Sequence, residues 1–295
     1  MLQILQLTVS GIAQGCIYGL IALGFVLIYK ATETVNFAQG DLMMVGGFAA
    51  LTAMAIAGFP FWLAFLCTVV ALFLLGMATE RMVLRPLLGH PSFTVVMVTI
   101  GIGYMGRGLV TMIPGWGTDT HTLPVPYKDE VIHVGGEDGL VISMEHLAII
   151  VTTLLLIAVL YLFFRYTRLG IAMQATSQNQ LAAFYMGIPV RRINMLIWGI
   201  SAAVSGVAGI LLAPITFVHA NMGFIGLKAF PAAVVGGFGS IPGALVGGLV
   251  IGLVESYSGF YLPEGFKDIA AYVVVLVMLA VKPTGLFGEN LRKKV

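Results

Sequence analysis

Residues 147–164 read LAIIVTTLLLIAVLYLFF, eighteen positions without a charge, a glycine or a proline. As a helix this stretch rises about 27 Å, close to the ~30 Å hydrocarbon core of a bilayer. A membrane-spanning strand would need only about ten residues of alternating character. The stretch therefore reads as a transmembrane helix, and its composition is that of the whole chain. Of 295 residues, 59% are hydrophobic and 9% charged, against about 25% charged in soluble domains. The fold class that follows is all-α: a polytopic helical membrane protein in one membrane domain spanning residues 1–295. Thirty-seven glycines, many spaced as in GALVGGLVIG, suit helices that approach closely in lipid. Cys16 and Cys67 both lie inside apolar runs, which speaks against a structural disulfide.

Working outward, the apolar runs place spans at about 8–29, 37–57, 61–79, 93–113, 147–164, 193–213 and 269–281. The intervening 214–256 region is harder to parse. A single span there would put the basic end ENLRKKV outside, against the positive-inside rule, so a broken or re-entrant segment is expected near residues 214–240. The count is then eight or nine transmembrane helices. Lys30, Arg81, Arg85 and the four arginines of residues 165–192 mark cytoplasmic turns. The loop at about 114–145 carries six of the thirteen acids and only Lys128 as a base, and is expected outside. Within it, LPVPYKDEVIHVGGEDGLVI has the β-branched flanks and glycine-rich centre of a small hairpin. The N-terminus MLQILQLTVSG lacks a basic start and is expected outside, the C-terminus inside.

Catalytic signatures are missing. None of the seven lysines follows a glycine, so there is no GxxxxGK[ST] phosphate loop. The five histidines are scattered without metal-ligand spacing, and no GxSxG occurs. The expectation is no enzyme, no catalytic residue, no metal site and no cofactor in this chain.

Two polar elements stand out instead. The first is KATETVNFAQGDLMM, residues 30–44. Lys30 and Glu33 read as the watery end of the first helix. Asn36, Gln39 and Asp41 fall at the start of the second, where they either cap freed backbone donors or line a path through the membrane. VGGFGSIPGALVGG, late in the chain, is a second interrupted run, and paired broken helices in two halves are what a repeated transporter fold shows. Glu255, followed by the polar SYSGFYLPEG, reads as an interfacial residue in water. The other element, TRLGIAMQATSQNQLAAFYMGIPVRR over residues 167–192, has small residues at Ala172, Ala175 and Ala182 and the stop signal Gly187-Ile188-Pro189. It reads as one or two short cytoplasmic helices, too polar for lipid insertion and suited to docking a soluble partner.

GCIYGLIALGFVLIYKATETVNFAQGDLMMVGGF, ERMVLRPL, TRLGIAMQATSQNQLAAFYMGI, SGVAGILLAP and GLKAFPAAVVGGFGSIPGALVGGLVIGLVES follow one another in the order of a known family. Together they resemble the LivH-type permease subunit of branched-chain amino acid ABC importers. The resemblance implies a substrate path for aliphatic amino acids in the bacterial cytoplasmic (inner) membrane. It also implies partners: a second, LivM-like permease, two ATP-binding cassette subunits that hold ATP and Mg, and an extracytoplasmic substrate-binding protein. Nucleic acid has no part in it. Carried over residue by residue, Arg168, Gly170, Ala172, Ala175, Ala182, Gly187 and Ile188 are the ATPase-coupling positions, and Asn36, Gln39 and Asp41 the path or gating positions. The chain departs from the family at Gln39, where a histidine is common, at Gln174, where an arginine is usual, and near Gln180, where a charge is usual. Permeases for urea or short amides share the pattern. Two other classes compete: a secondary transporter using Asp41 and Arg107, and an intramembrane enzyme, for which no paired acids or Ser/His couple is evident.

Overall fold

The structure is a computed structural model that describes residues 2–87, 89–117, 119–134 and 140–288. It is built from helices, with one small hairpin outside the bundle. The first half holds α1 (Leu2–Thr32), α2 (Gln39–Leu51, continued by a π turn at Thr52–Ile56), α3 (Phe61–Thr79, continued by tighter and wider turns to Leu87) and α4 (Ser92–Met112). The hairpin β1 (Val131–Val134) and β2 (Leu140–Ser143) pairs antiparallel, Ile132 opposite Ile142, where the sequence predicts it; its turn, GGEDG, lies outside the described residues. Then come α5 (Met144–Tyr166), the short α6 (Arg168–Gln178) and α7 (Gln180–Tyr185), α8 (Val190–Thr216), α9 (Gly223–Gly236), α10 (Ile241–Tyr261) and α11 (Phe266–Val281). Among the described residues seven helices are long and apolar enough to cross a membrane, fewer than the eight or nine expected, because α9 and α11 have only 14 and 16 residues.

Small residues decide the packing. Gly11, Gly15 and Gly19 of α1 recur every fourth residue and lie against Leu253, Leu249 and Leu245 of α10, so the two helices run antiparallel. A Cβ on Gly252 would overlap the Gly15 backbone, which is the close approach that small residues permit in lipid. Gly76 of α3 meets Trp198 and Ala202 of α8, while Gly46 of α2 meets Gly206. Buried α1, α2 and α8 form the core, and the outer faces of α3, α4 and α5 keep large apolar side chains exposed, as lipid-facing helices do.

The two outer parts of the chain follow one plan. Each has a long helix (α1, α8), then six non-helical residues (33–38, 217–222), a short helix (α2, α9), four residues of turn (57–60, 237–240) and a long helix (α3, α10). The six-residue segments begin on Glu33 (φ 54°) and Phe217 (φ 62°), two of the three non-glycine residues with positive φ among the described ones. Each segment doubles back into the bundle. α1 lies on α10 and α8 on α3, so the halves point in opposite directions, the arrangement of an inverted repeat.

This relocates one expectation. VGGFGSIPG is no intramembrane break but the turn between α9 and α10, at the end of the bundle. The interruption sits at 217–222, FVHANM, inside the expected 214–240 window. Pro231 lies inside α9 and is accommodated there among small residues.

One end of the bundle holds Lys30, Arg81, Arg85, Arg165, Arg168, Arg191, Arg192 and Lys282. The opposite end, with the hairpin, holds Lys128 and Lys267 among the described residues.

Candidate functional site

Because the two six-residue segments enter from opposite ends, the N-termini of α2 and α9 meet within the bundle. Gly40 of α2 packs on Gly223 and Gly226 of α9 so closely that a Cβ on any of the three would overlap backbone or the Asp41 side chain. Both helices point their positive dipole ends at this junction. Around it the structure gathers the polar residues that the sequence marks.

Asn36, Gln39 and Asp41 are all buried. Asn36 Oδ1 accepts the Ala38 N–H at 3.1 Å, a local turn, and its Nδ2 donates to Gln39 Oε1 at 3.1 Å. Gln39 Nε2 donates to Ser205 Oγ at 2.6 Å and Ser201 Oγ at 2.9 Å on α8. Ser201 in turn donates to the Gly24 carbonyl of α1 at 2.9 Å. The chain α1–α8–α2 is thus stitched by a satisfied polar network, in which each buried group has a partner. Capping, one of the two sequence readings, holds only for Asn36; the start of α2 has no side-chain cap, and Gln39 bonds across to α8 instead.

Asp41 takes a different partner. Its Oδ1 lies 2.5 Å from Arg107 Nε of α4. The guanidinium lies over the Phe224 ring of α9, 3.7 Å from the centroid, and near Tyr104, 5.3 Å away. Phe37 N–H donates to Thr99 Oγ1, also of α4, at 3.2 Å. Arg107 is the residue that the sequence reading assigned only to a competing transporter class. Ser201, Ser205 and Thr99 it missed altogether, since single hydroxyls in apolar helices carry no pattern.

A second ion cluster corrects the reading of Glu255. It is 2% exposed rather than in interfacial water, and it accepts a hydrogen bond from Tyr18 of α1. Lys228 of α9 bridges Glu255 at 3.4 Å and Asp268 of α11 at 2.5 Å. Of the polar residues that follow it, Ser256 and Ser258 lie within the same turn of α10 and donate to the carbonyls of Leu7 and Glu255, and only Pro263, Glu264 and Gly265 lie beyond the helix.

At the arginine-rich end, α6 packs on α1, α5 and α8, and α7 follows it. Thr167 and Asn179 cap them, accepting from Gly170 N–H and Ala182 N–H. Gly170 seats against the Phe163 carbonyl, and only glycine fits that corner. At the end of α7, Gly187 (φ 82°) donates to the Phe184 carbonyl at 3.0 Å and Ile188 N–H to that of Ala183 at 3.0 Å, a Schellman stop. Gln180 donates to the Ala31 carbonyl at the end of α1. Arg168 and Ala182 are exposed; Ala172, Ala175 and Ile188 are half-buried. The apolar tip is made by Leu181, Phe184, Tyr185 and Met186, all exposed and none of them singled out by sequence.

An apolar helical bundle with inverted halves, two helix N-termini meeting inside it and a short helix pair with exposed apolar side chains at one end defines a multi-pass membrane permease. Residues 7–281 match the family model described as branched-chain amino acid transport system / permease component, and the chain belongs to that family. The high-affinity branched-chain amino acid transport system permease protein LivH of Escherichia coli (strain K12) is 32% identical, over 100% of this chain and 98% of the relative. The corresponding protein BraD of Pseudomonas aeruginosa is 33% identical, over 99% and 98%. The galactofuranose transporter permease protein YtfT of Escherichia coli (strain K12) is 29% identical, over 89% and 75%.

Proposed function

We propose that this chain forms one half of the translocation path of an ATP-driven importer for branched-chain aliphatic amino acids. The observation that carries the coupling to ATP is the α6–α7 pair: two short capped helices at the arginine-rich end, the second of which exposes Leu181, Phe184, Tyr185 and Met186. A permease that worked alone would have no use for such a tip. The substrate class rests on the full-length likeness to LivH and BraD.

On this reading the chain pairs with a second, LivM-like permease and works with two cassette subunits, which bind ATP and Mg, and with an extracytoplasmic binding protein. The arginine-rich end faces the cytoplasm of a bacterial cell, leaving the N-terminus and hairpin outside. Closure of the cassettes moves α7. Gln180 passes that movement to the end of α1, and the stitched α1–α8–α2 core passes it to the junction of α2 and α9. The ion pair Asp41–Arg107 holds α4 against that junction, and its parting opens the path. An amino acid zwitterion suits such a gate, because it offers a carboxylate to Arg107 and an ammonium to Asp41 as they separate.

The test is uptake into proteoliposomes holding both permeases and the loaded binding protein, with and without cassette subunits, using leucine, isoleucine, valine, urea and acetamide in parallel. Uptake of the three amino acids only with cassettes and ATP is expected. Uptake without cassettes overturns the coupling and points to a secondary transporter. Uptake of urea or acetamide in preference overturns the substrate.

A further inference from the structure

Toward the arginine-rich end, α1, α5 and α10 part and leave a cleft of about 640 Å³. Its walls are apolar, with Leu23, Ile157, Leu160, Phe164, Leu245 and Phe287. Its rim carries Lys30 and Arg165, with the Gln174 amide beside them. Neither cation has an ion-pair partner among the described residues; Arg165 instead lies near the Tyr161 ring and donates to its hydroxyl. Ser240, the N-cap of α10, and Ile241, its first residue, complete the rim, so a positive helix end borders the same cleft as the two side chains. A smaller cavity shares Lys30, Phe164, Gln174 and Ile241 and extends the cleft beneath α6.

The two halves of this cleft ask for one ligand. A soluble anion would use the cations and leave the apolar walls bare. A neutral lipid would use the walls and leave the cations unpaired in the headgroup region. From Leu23 to Lys30 is two turns of α1, about 10 Å, enough for the upper part of an acyl chain. Basic pockets between transmembrane helices on the cytoplasmic side hold acidic headgroups by this division of labour.

We propose that the cleft is a binding site for an anionic phospholipid, its phosphate between Lys30 and Arg165 and one acyl chain along Leu23, Ile157 and Leu160. The cleft shares no residue with the Asp41–Arg107 junction, and the proposal does not depend on what the importer carries. It lies where α5 turns into α6, so an occupied cleft braces the root of the α6–α7 pair.

The full-length chain, purified in mild detergent from vesicles of phosphatidylcholine with a minor share of phosphatidylglycerol, is read by native mass spectrometry for retained lipid. Wild type is expected to retain phosphatidylglycerol. The double variant Lys30→Gln/Arg165→Gln should bind it roughly thirty-fold more weakly, from the ~5-fold that each basic side chain near an anionic surface contributes. Ile157→Trp, which fills the cleft and keeps both cations, should lose it as well. The charge-conserving pair Lys30→Arg/Arg165→Lys should keep it, which separates a binding defect from misfolding. Equal phosphatidylglycerol retention by wild type and the double glutamine variant overturns the site. So does full retention by Ile157→Trp, which would reduce it to surface attraction, and so does displacement of the lipid by inorganic phosphate alone.

Discussion

Asp41 and Arg107 form an ion pair of 2.5 Å between the first turn of α2 and the C-terminal part of α4, inside the bundle. Their carboxylate and guanidinium neutralise each other where neither could stand alone. Arg107→Met leaves the Asp41 carboxylate buried without its partner and should cost about 3–5 kcal/mol of stability. The double variant Asp41→Asn/Arg107→Gln removes both charges and should recover most of that loss. Thermal unfolding in detergent compares the two. A single variant as stable as the double one would mean that the pair is not desolvated.

Gln39 Nε2 donates to Ser201 and Ser205, and its Oε1 accepts from Asn36 Nδ2. Gln39→Leu is of similar length but orphans the Ser205 hydroxyl and the Asn36 amide, a loss of about 1–3 kcal/mol. Gln39→His, the residue common in the family, keeps a donor and an acceptor and should be milder. The ranking of the two melting temperatures is the check.

Phe217 opens the segment between α8 and α9 with φ 62° and ψ 161°, a region that glycine enters freely and a Cβ resists. Relief of that strain exceeds the added freedom of the unfolded chain, so Phe217→Gly should stabilise by roughly 1 kcal/mol. Phe217→Ala keeps its Cβ and should gain nothing. Equal effects of both in chemical denaturation would refute the strain.

Phe184 and Leu181 are exposed at the tip of α7, away from the core. Replacing both by glutamate should leave expression and melting unchanged within ~0.5 kcal/mol, as for surface positions. ATP-dependent uptake and co-purification of the cassette subunits should both collapse. Retained co-purification would place the docking surface elsewhere.

Sidedness has a direct measurement. In a Cys67→Ser background, which removes the exposed native thiol, Asp129→Cys reports on the hairpin end and Tyr185→Cys on the α7 tip. A membrane-impermeant maleimide on intact cells should label the first and not the second. The reverse pattern would invert the orientation that the basic residues imply.

Much of the architecture was legible along the chain, because lipid imposes a length and a composition on each span. The apolar run at 147–164 falls within α5, 61–79 coincides with α3, and the turn residues at Gly187 and Pro189 end α7 and precede α8 where expected. The break at 33–38 was visible too, since Asn36, Gln39 and Asp41 interrupt an apolar stretch.

Its counterpart at 217–222 was legible only as a broken segment somewhere in 214–240, not in its place. FVHANM carries no charge and looks like the end of one span and the start of another; only the return of α9 to Gly40 reveals that the chain turns back inside the bundle. The same limit applies to partners. Arg107 is 66 residues from Asp41, Lys228 is 27 from Glu255, and Ser201 is 162 from Gln39.

Local physics, the hydrophobic length of a helix and the preferences of caps and turns, is written in neighbouring residues and determined the class, the spans and the short helices of this permease. Which intramembrane charge meets which, and whether Glu255 lies in water or in the core, depends on helices brought together by contacts between distant glycines, and only the tertiary structure decided it.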